Sequence, residues 1–290
     1  MLVTGASSGI GEACVRDLAR EGCLVFAGVR RTEDGERLAA AQPDRLVPVL
    51  LDVTSPEQIR GAVETITGLV GERGLDGLVN NVGIAIGGPL EFVSAESLRQ
   101  QFAVNVIGLH AVTTAFLPLI RRARRVGGPG VGRIVHVGSV SGRIAQPFIG
   151  PYSASKHAVE ALADALRVEL APEGIHVAVI EPGQVRTPIW EKGLASSAGM
   201  LDSIPAEGRE RYGLRIRVFR WILERAPSRG MPPARVAAAI RHALMAAEPR
   251  TRYLLGFDAR VRLLLRRWLP DRLMDSLVLA TIRGLERRVR

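Results

Sequence analysis

The first 22 residues, MLVTGASSGIGEACVRDLAREG, constrain the rest of the chain more than any other stretch. A short apolar strand runs into a turn with glycines at Gly5, Gly9 and Gly11. The turn opens an amphipathic helix carrying Ile10, Val15 and Leu18. Glycines at a strand-to-helix turn let the backbone approach a pyrophosphate, which the N–H groups of the helix N-terminus can hold. The strand before it and the helix after it are the context such a turn requires. Its spacing, G-x-x-x-G-x-G, departs from the common G-x-G-x-x-G, and the departure is itself informative.

The same alternation continues along the chain. Apolar runs predict strands over 1–4, 23–28, 46–51, 76–80, 132–138, 175–181 and 252–256, with helices over 9–21, 56–70, 95–124 and 151–171. Alternating β and α elements imply right-handed crossovers and a parallel sheet. The expected fold is therefore α/β, one doubly wound domain of about seven strands, for which 290 residues supply a sizeable core. The expected division is a cofactor-binding and catalytic domain over 1–257, with a substrate lid over about 188–230, and a basic, apolar helical extension over 258–290. No run of 18 or more uninterrupted apolar residues predicts a membrane-spanning helix. The chain opens straight into its first strand, so no signal peptide is expected within the sequence as it stands, while the shortness of that strand leaves open a start further upstream. Cys14 and Cys23 bracket one helix and read as small buried residues in a reducing cytoplasm. The basic, Gly-rich RRARRVGGPGVG at 121–132 reads as a solvated turn.

Only two of the 39 lysines and arginines are lysines, and one of them, Lys156, stands four residues after Tyr152. The surrounding run has Ala158, Leu162, Ala165, Leu166 and Leu170 at helical spacing, so Tyr152 and Lys156 share a face. A phenol titrates near pH 10 and is a poor acid or base at neutral pH. A compact positive charge beside it favours the phenolate, a task for which arginine's planar fork is no substitute. The pair is either catalytic or simply two residues on an ordinary helix surface. His157 adjoins Lys156 but points about 100° away on a helix and reads as structural.

Six motifs decide between these readings. TGASSGIG at 4–11, NNVG at 80–83, Asn105 within FAVNVIG, VGSVSG at 137–142, YSASK at 152–156 and PGQVRT at 182–187 fall in one order and spacing. In this the chain resembles the short-chain dehydrogenase/reductase family over residues 1 to about 190. Val82 replaces the alanine of the usual NNAG, a change expected to spare cofactor binding. The resemblance implies a Rossmann domain, a homo-oligomer and no metal. It implies Tyr152 as the acid/base on the substrate oxygen, with Lys156 lowering the Tyr152 pKa and holding the nicotinamide ribose. Ser139, which alone could be a strand-end cap, would donate to the same oxygen, so Ser139 and Tyr152 would contact substrate. Asn105 would support a water chain leading to Lys156.

For the cofactor, the resemblance implies contacts from Gly5, Ser7, Ser8, Gly9, Ile10 and Gly11 around the pyrophosphate. Asp52 would accept from the adenine amino group, with Val53 beside it; Asp52 reads equally as a helix cap ahead of Pro56 and Glu57. Asn81 and Gly83 would flank the adenine ribose and pyrophosphate, and Pro182, Gly183, Val185 and Thr187 would grip the nicotinamide carboxamide. No acidic residue follows the second strand before Glu33, and Arg30 and Arg31 occupy its turn. That favours NADP(H) over NAD(H), although arginine is abundant throughout.

The tail resembles the 17β-hydroxysteroid and retinol dehydrogenase branch rather than the acyl-carrier-protein reductases. From Arg260 onward, nine arginines face Asp271, Asp275 and Glu286, a net +6 of the chain's +10. Arginine, tryptophan and leucine mixed along a helix suit peripheral contact with anionic lipid or a helix pair covering an apolar groove. No nucleic-acid motif accompanies the charge. The expected function is an NAD(P)-dependent oxidoreductase, cytoplasmic or at a membrane surface, interconverting a secondary alcohol and ketone on a small steroid-, retinoid- or lipid-like substrate. The rivals are a 3-oxoacyl thioester reductase and a catalytically silent dinucleotide-binding scaffold.

Overall fold

The computed structural model describes residues 1–123, 132–189, 191–193 and 204–289. Most of the turn expected at 121–132, and the lid residues 190 and 194–203, lie outside the described residues. The strands are β1 (Leu2–Thr4), β2 (Val25–Val29), β3 (Leu46–Leu50), β4 (Gly77–Asn80), β5 (Arg133–Val137), β6 (His176–Pro182) and β7 (Arg252–Leu255). They form one parallel sheet in the order β3-β2-β1-β4-β5-β6-β7. The helices are α1 (Gly9–Arg20), α2 (Thr32–Ala41), α3 (Pro56–Val70), α4 (Ala95–Phe102), α5 (Leu109–Arg121), α6 (Gly150–Leu170), α7 (Ala206–Arg229), α8 (Pro233–Met245), α9 (Phe257–Trp268) and α10 (Asp271–Val289).

Successive strand residues point to opposite faces. Leu2, Phe26, Leu78 and Ile134 enter one core, where α3, α5 and α6 bring Ile66, Phe116 and Ala163. Their neighbours Val3, Ala27, Val79 and Val135 enter the other, with Leu18 of α1 and Ile240 of α8. Burying a side chain the size of Leu or Phe contributes about 1.5–3 kcal/mol, so both sheet faces are driven to acquire helices. This is why the strands read as unbroken apolar runs.

The helix expected over 95–124 is three pieces. Between α4 and α5 the chain widens into a π-helical stretch, Ala103–Gly108, which holds Asn105. Gly108 permits the close approach behind it, since a Cβ there would stand 2.8 Å from the Val53 carbonyl oxygen. By length and composition, Ala95–Arg121 is apolar enough to cross a membrane, with a mean hydropathy of 1.7. Val112, Phe116, Leu119 and Ile120 are nevertheless buried in the second core, so this apolar face already has a protein partner.

The sheet order reverses between β1 and β4, which opens a crevice at the carboxyl ends of these strands. Beyond β7, α10 lies on α7, with Arg215 Nε 3.7 Å from a Glu286 carboxylate oxygen. Phe257, Leu264, Trp268 and Leu273 on α9 and α10 remain more than half exposed.

Candidate active site

At the carboxyl end of β1, Gly5 (φ 66°) and Gly9 (φ 60°) adopt the left-handed region that glycine enters freely. A Cβ on Gly11 would stand 2.1 Å from the Gly5 carbonyl oxygen, so only glycine fits where α1 meets the turn. Asn81 braces this turn: its side-chain amide donates to the Thr4 and Gly5 carbonyls at 3.0 and 3.1 Å. The N–H groups of Asn81 and Val82 both donate to the Thr4 hydroxyl, and the Val82 side chain packs on Gly5. Ser8 begins α1 without a side-chain cap bond, whereas Ser55 caps α3 by accepting from Gln58 N–H. The first N–H groups of α1 thus face the glycines without a capping side chain. A backbone cradle free of Cβ atoms at the positive end of a helix fits a pyrophosphate. Ile10 packs into the core beside it, and Thr187 closes over Gly9, 3.0 Å from where its Cβ would be.

The expected carboxamide turn is held from both sides. Gly183 N–H donates to the Leu255 carbonyl at 2.8 Å, Arg186 N–H to Met231 at 3.0 Å, and buried Val185 bridges to Met231. Gly183 leaves room for Asp258, whose carboxylate would lie 2.7 Å from an added Cβ.

Asp52 does not cap α3, because Ser55 does. Its carboxylate accepts from the Thr54 N–H and hydroxyl at 2.8 and 2.6 Å. Burial pulls its pKa upward, but these bonds and the nearby Arg30 charge hold it below the usual carboxylate value. Val53 is buried behind it. Arg31 is exposed and pairs with Asp34 at 3.0 Å. An arginine outside the expected set, Arg37 on α2, reaches the turn itself: it donates to the Ser7 carbonyl at 2.8 Å and pairs with Glu12.

Ser139, two residues past β5, accepts from Ser141 N–H at 3.1 Å and is hydrogen-bonded to the Tyr152 phenol. Gly142 docks this turn onto α6, since a Cβ there would lie 2.8 Å from the Lys156 carbonyl oxygen. Lys156 Nζ donates to the Val137 carbonyl at 2.7 Å and sits 5.8 Å from the Tyr152 ring centre. Asn105 accepts from Ile84 N–H and donates to the Ile84 carbonyl and the Ser155 hydroxyl. Ser155 in turn donates to the Tyr152 carbonyl at 2.7 Å. A Cβ on Gly83 would lie 3.6 Å from Asn105 Oδ1 and 3.7 Å from Lys156 Nζ, so these groups converge. His157 is exposed and 2.8 Å from the Ser153 carbonyl oxygen, away from the site.

Burial pushes the Tyr152 phenol up, and the Ser139 hydrogen bond offsets only part of the rise. On balance, burial therefore leaves the phenol above its ordinary value. Burial also draws Lys156 down to about 8, against support from Glu160. At neutral pH Tyr152 is therefore a protonated donor beside a charged lysine.

The surroundings of the phenol are apolar. Tyr152 packs with Ala85, Ile149, Phe219 and Leu223, and Phe148 stacks on Phe219 with ring centres 5.7 Å apart. Phe148 has φ 66°, an unfavourable conformation for a non-glycine residue that costs about 1–3 kcal/mol. Its carbonyl accepts from Gly88 N–H at 2.7 Å. Nothing in the local sequence announced this wall, since its members come from three separate segments.

The model of the short chain dehydrogenase family matches residues 1–197. An NADPH-dependent 3-dehydrocapnine reductase of Ornithobacterium rhinotracheale is 35% identical, covering 98% of this chain and 97% of its own. Retinol dehydrogenase 16 of Mus musculus is 39% identical, covering 96% of this chain and 87% of its own. A short-chain dehydrogenase structure from Streptomyces avermitilis is 30% identical with a TM-score of 0.74, covering 98% and 96% of the two chains. Likeness of this extent, in a chain whose Gly-turn and Ser–Tyr–Lys motifs meet at one crevice, places it in the short-chain dehydrogenase family, as an oxidoreductase of alcohols and carbonyls that works with a nicotinamide dinucleotide.

Proposed function

We propose that the protein interconverts an apolar secondary alcohol and its ketone, with NADP(H) preferred. The observation that carries this reading is the buried Tyr152, hydrogen-bonded to Ser139 and enclosed by Phe148, Ile149, Phe219 and Leu223. A nicotinamide dinucleotide, when bound, supplies or accepts the hydride. In reduction, Tyr152 gives its phenolic proton to the carbonyl oxygen, and Ser139 hydrogen-bonds that oxygen as negative charge develops. The Lys156 ammonium stabilises the phenolate left behind. In oxidation the proton moves the other way. Because burial raises the phenol, reduction is favoured at neutral pH and oxidation at alkaline pH.

NADP(H) is supported by the absence of an acidic residue at Arg30 and Arg31, and by a relative whose name includes NADPH dependence. The exposed Arg31–Asp34 pair contributes roughly 0–1 kcal/mol, little enough for a phosphate to recruit the guanidinium. Steady-state assays of retinoids, keto-steroids and short 3-oxoacyl thioesters with each cofactor test both points. We expect turnover of the apolar ketones with NADPH. The Arg30→Ala/Arg31→Ala variant should weaken NADPH at least tenfold more than NADH, each charge-assisted bond being worth about 1.5–3 kcal/mol. Turnover confined to thioesters would refute the substrate class, and a parent preferring NADH would refute the cofactor.

The exposed Phe257, Leu264, Trp268 and Leu273 among the tail's arginines support peripheral binding to anionic lipid. Sedimentation with phosphatidylserine vesicles should remove the protein from solution and phosphatidylcholine vesicles should not. Trp268→Ala with Phe257→Ala should weaken the binding several-fold, and indifference to lipid charge would end the idea.

A further inference from the structure

A second set of buried charges lies directly beneath the Tyr152–Lys156 pair. Glu160 follows Lys156 by one turn of α6, so the two side chains share a face. Its Oε2 is 3.2 Å from Arg252 Nε, and Glu181 Oε1 on β6 is 3.1 Å from the same nitrogen. Arg252 also pairs with Asp164 at 2.7 Å, and Arg143, just past the Ser139 turn, pairs with Glu181 at 3.0 Å. Two buried carboxylates thus lean on one shared guanidinium and one half-exposed one. The second oxygen of Glu160 is buried with no hydrogen-bond partner among the described residues. It lies 3.0 Å from where a Cβ on Gly138 would stand, and Gly138 links Ser139 to the Val137 whose carbonyl holds Lys156 Nζ.

We propose that Glu160 is a positioning residue that keeps the buried Lys156 ammonium charged at neutral pH. This rests on the reading of Tyr152 and Lys156 as the proton-handling pair. A lysine with its Nζ against one carbonyl in an apolar site sheds its proton readily, and Glu160 is the carboxylate that acts on it across one turn. Burial and the neighbouring Glu181 raise Glu160 to about 7, against Arg252 and Arg143. Both groups are charged together between about pH 7 and 8, so Glu160 acts on Lys156 from neutrality to just above it. The other group facing the lysine, His136 on β5, is held down to about 4 by burial and by Lys156, and stays uncharged there.

The chain's two lysines make a direct test practical. Nuclear magnetic resonance of protein labelled with ε-13C lysine gives one resonance for Lys156 and one for the exposed Lys192, an internal reference. In Glu160→Gln the Lys156 resonance should titrate about one pH unit lower than in the parent, the size of effect a nearby opposite charge exerts. The rate of ketone reduction should begin its alkaline fall lower by the same amount. Glu160→Asp keeps the charge and should shift both by less than half as much. Melting curves establish that the compared variants are folded. An unshifted Lys156 in Glu160→Gln, or an equal shift in Glu160→Asp, overturns the proposal. Full turnover by Tyr152→Phe would instead sink the proposed chemistry, leaving the lysine titration to judge Glu160 separately.

Discussion

Tyr152→Phe should bind the nicotinamide dinucleotide as the parent does and turn over about 10²–10⁴ more slowly, the range assigned to a positioned general acid or base. The substitution removes one oxygen and leaves the ring among Ala85, Ile149, Phe219 and Leu223, so no cavity opens in that cluster. Its local cost is the lost partner of Ser139, about 1–3 kcal/mol at most for an unpaired buried hydroxyl. Ser139 also has the Ser141 N–H to hold it in place. Thermal melting and cofactor titration should therefore stay close to the parent while the catalytic rate falls. The separation matters, because a folding defect would lower all three together. Turnover within a few-fold of the parent would show that another group moves the proton.

Why the site keeps a lysine in so arginine-rich a chain follows from its surroundings. Lys156 is 4% exposed, and its single ammonium fits against the Val137 carbonyl. A guanidinium carries five donors in a rigid plane, and this pocket offers Lys156 one backbone acceptor at 2.7 Å. The sequence carried this constraint openly, as one of two lysines at helical spacing from a tyrosine. It also carried the strands: all seven form within two residues of where their apolar runs end, since a sheet covered on both faces leaves little polar interruption.

What escaped the sequence is what only the packing assembles. Glu160, Glu181 and Arg252 come from α6, β6 and β7, and no local period links them. Arg37 and Glu12 belong to different helices and meet only because both flank the Gly-rich turn. The break at Ala103–Gly108 was likewise hidden, because the apolar pattern of a π-helical turn differs from that of an α-helix by one residue. Burial is the other quantity that spacing does not carry. The i,i+4 spacing puts a lysine beside the phenol but says nothing of the desolvation that raises it.

Gly11→Ala should be the most damaging single methyl group in the cofactor site. The new Cβ would stand 2.1 Å from the Gly5 carbonyl oxygen and 2.8 Å from its carbon, with Asn81 Nδ2 at 2.6 Å. The Gly5 atoms are backbone, so they have no rotamer by which to retreat, and Asn81 is tied to the same carbonyl. Relief requires α1 to withdraw from the turn by about 1 Å or more. Val15 and Leu18 are wholly buried in the core and resist this movement. Overpacking of this kind costs about 1–3 kcal/mol or more, and an error of about 1 Å in a binding geometry costs about 10²-fold. We expect the dissociation constant for the dinucleotide to rise about 100-fold and the melting temperature to fall by several degrees. Gly9→Ala should do less, because its contact is the Thr187 side chain, although φ 60° leaves some strain. Gly61→Ala on the open face of α3, with nothing within 4 Å, should be neutral or stabilising by up to about 1 kcal/mol. Fluorescence titration and melting of the three variants test the order Gly11, Gly9, Gly61. If Gly11→Ala bound the dinucleotide as tightly as Gly61→Ala, the close approach of α1 to the turn would not be what holds the pyrophosphate.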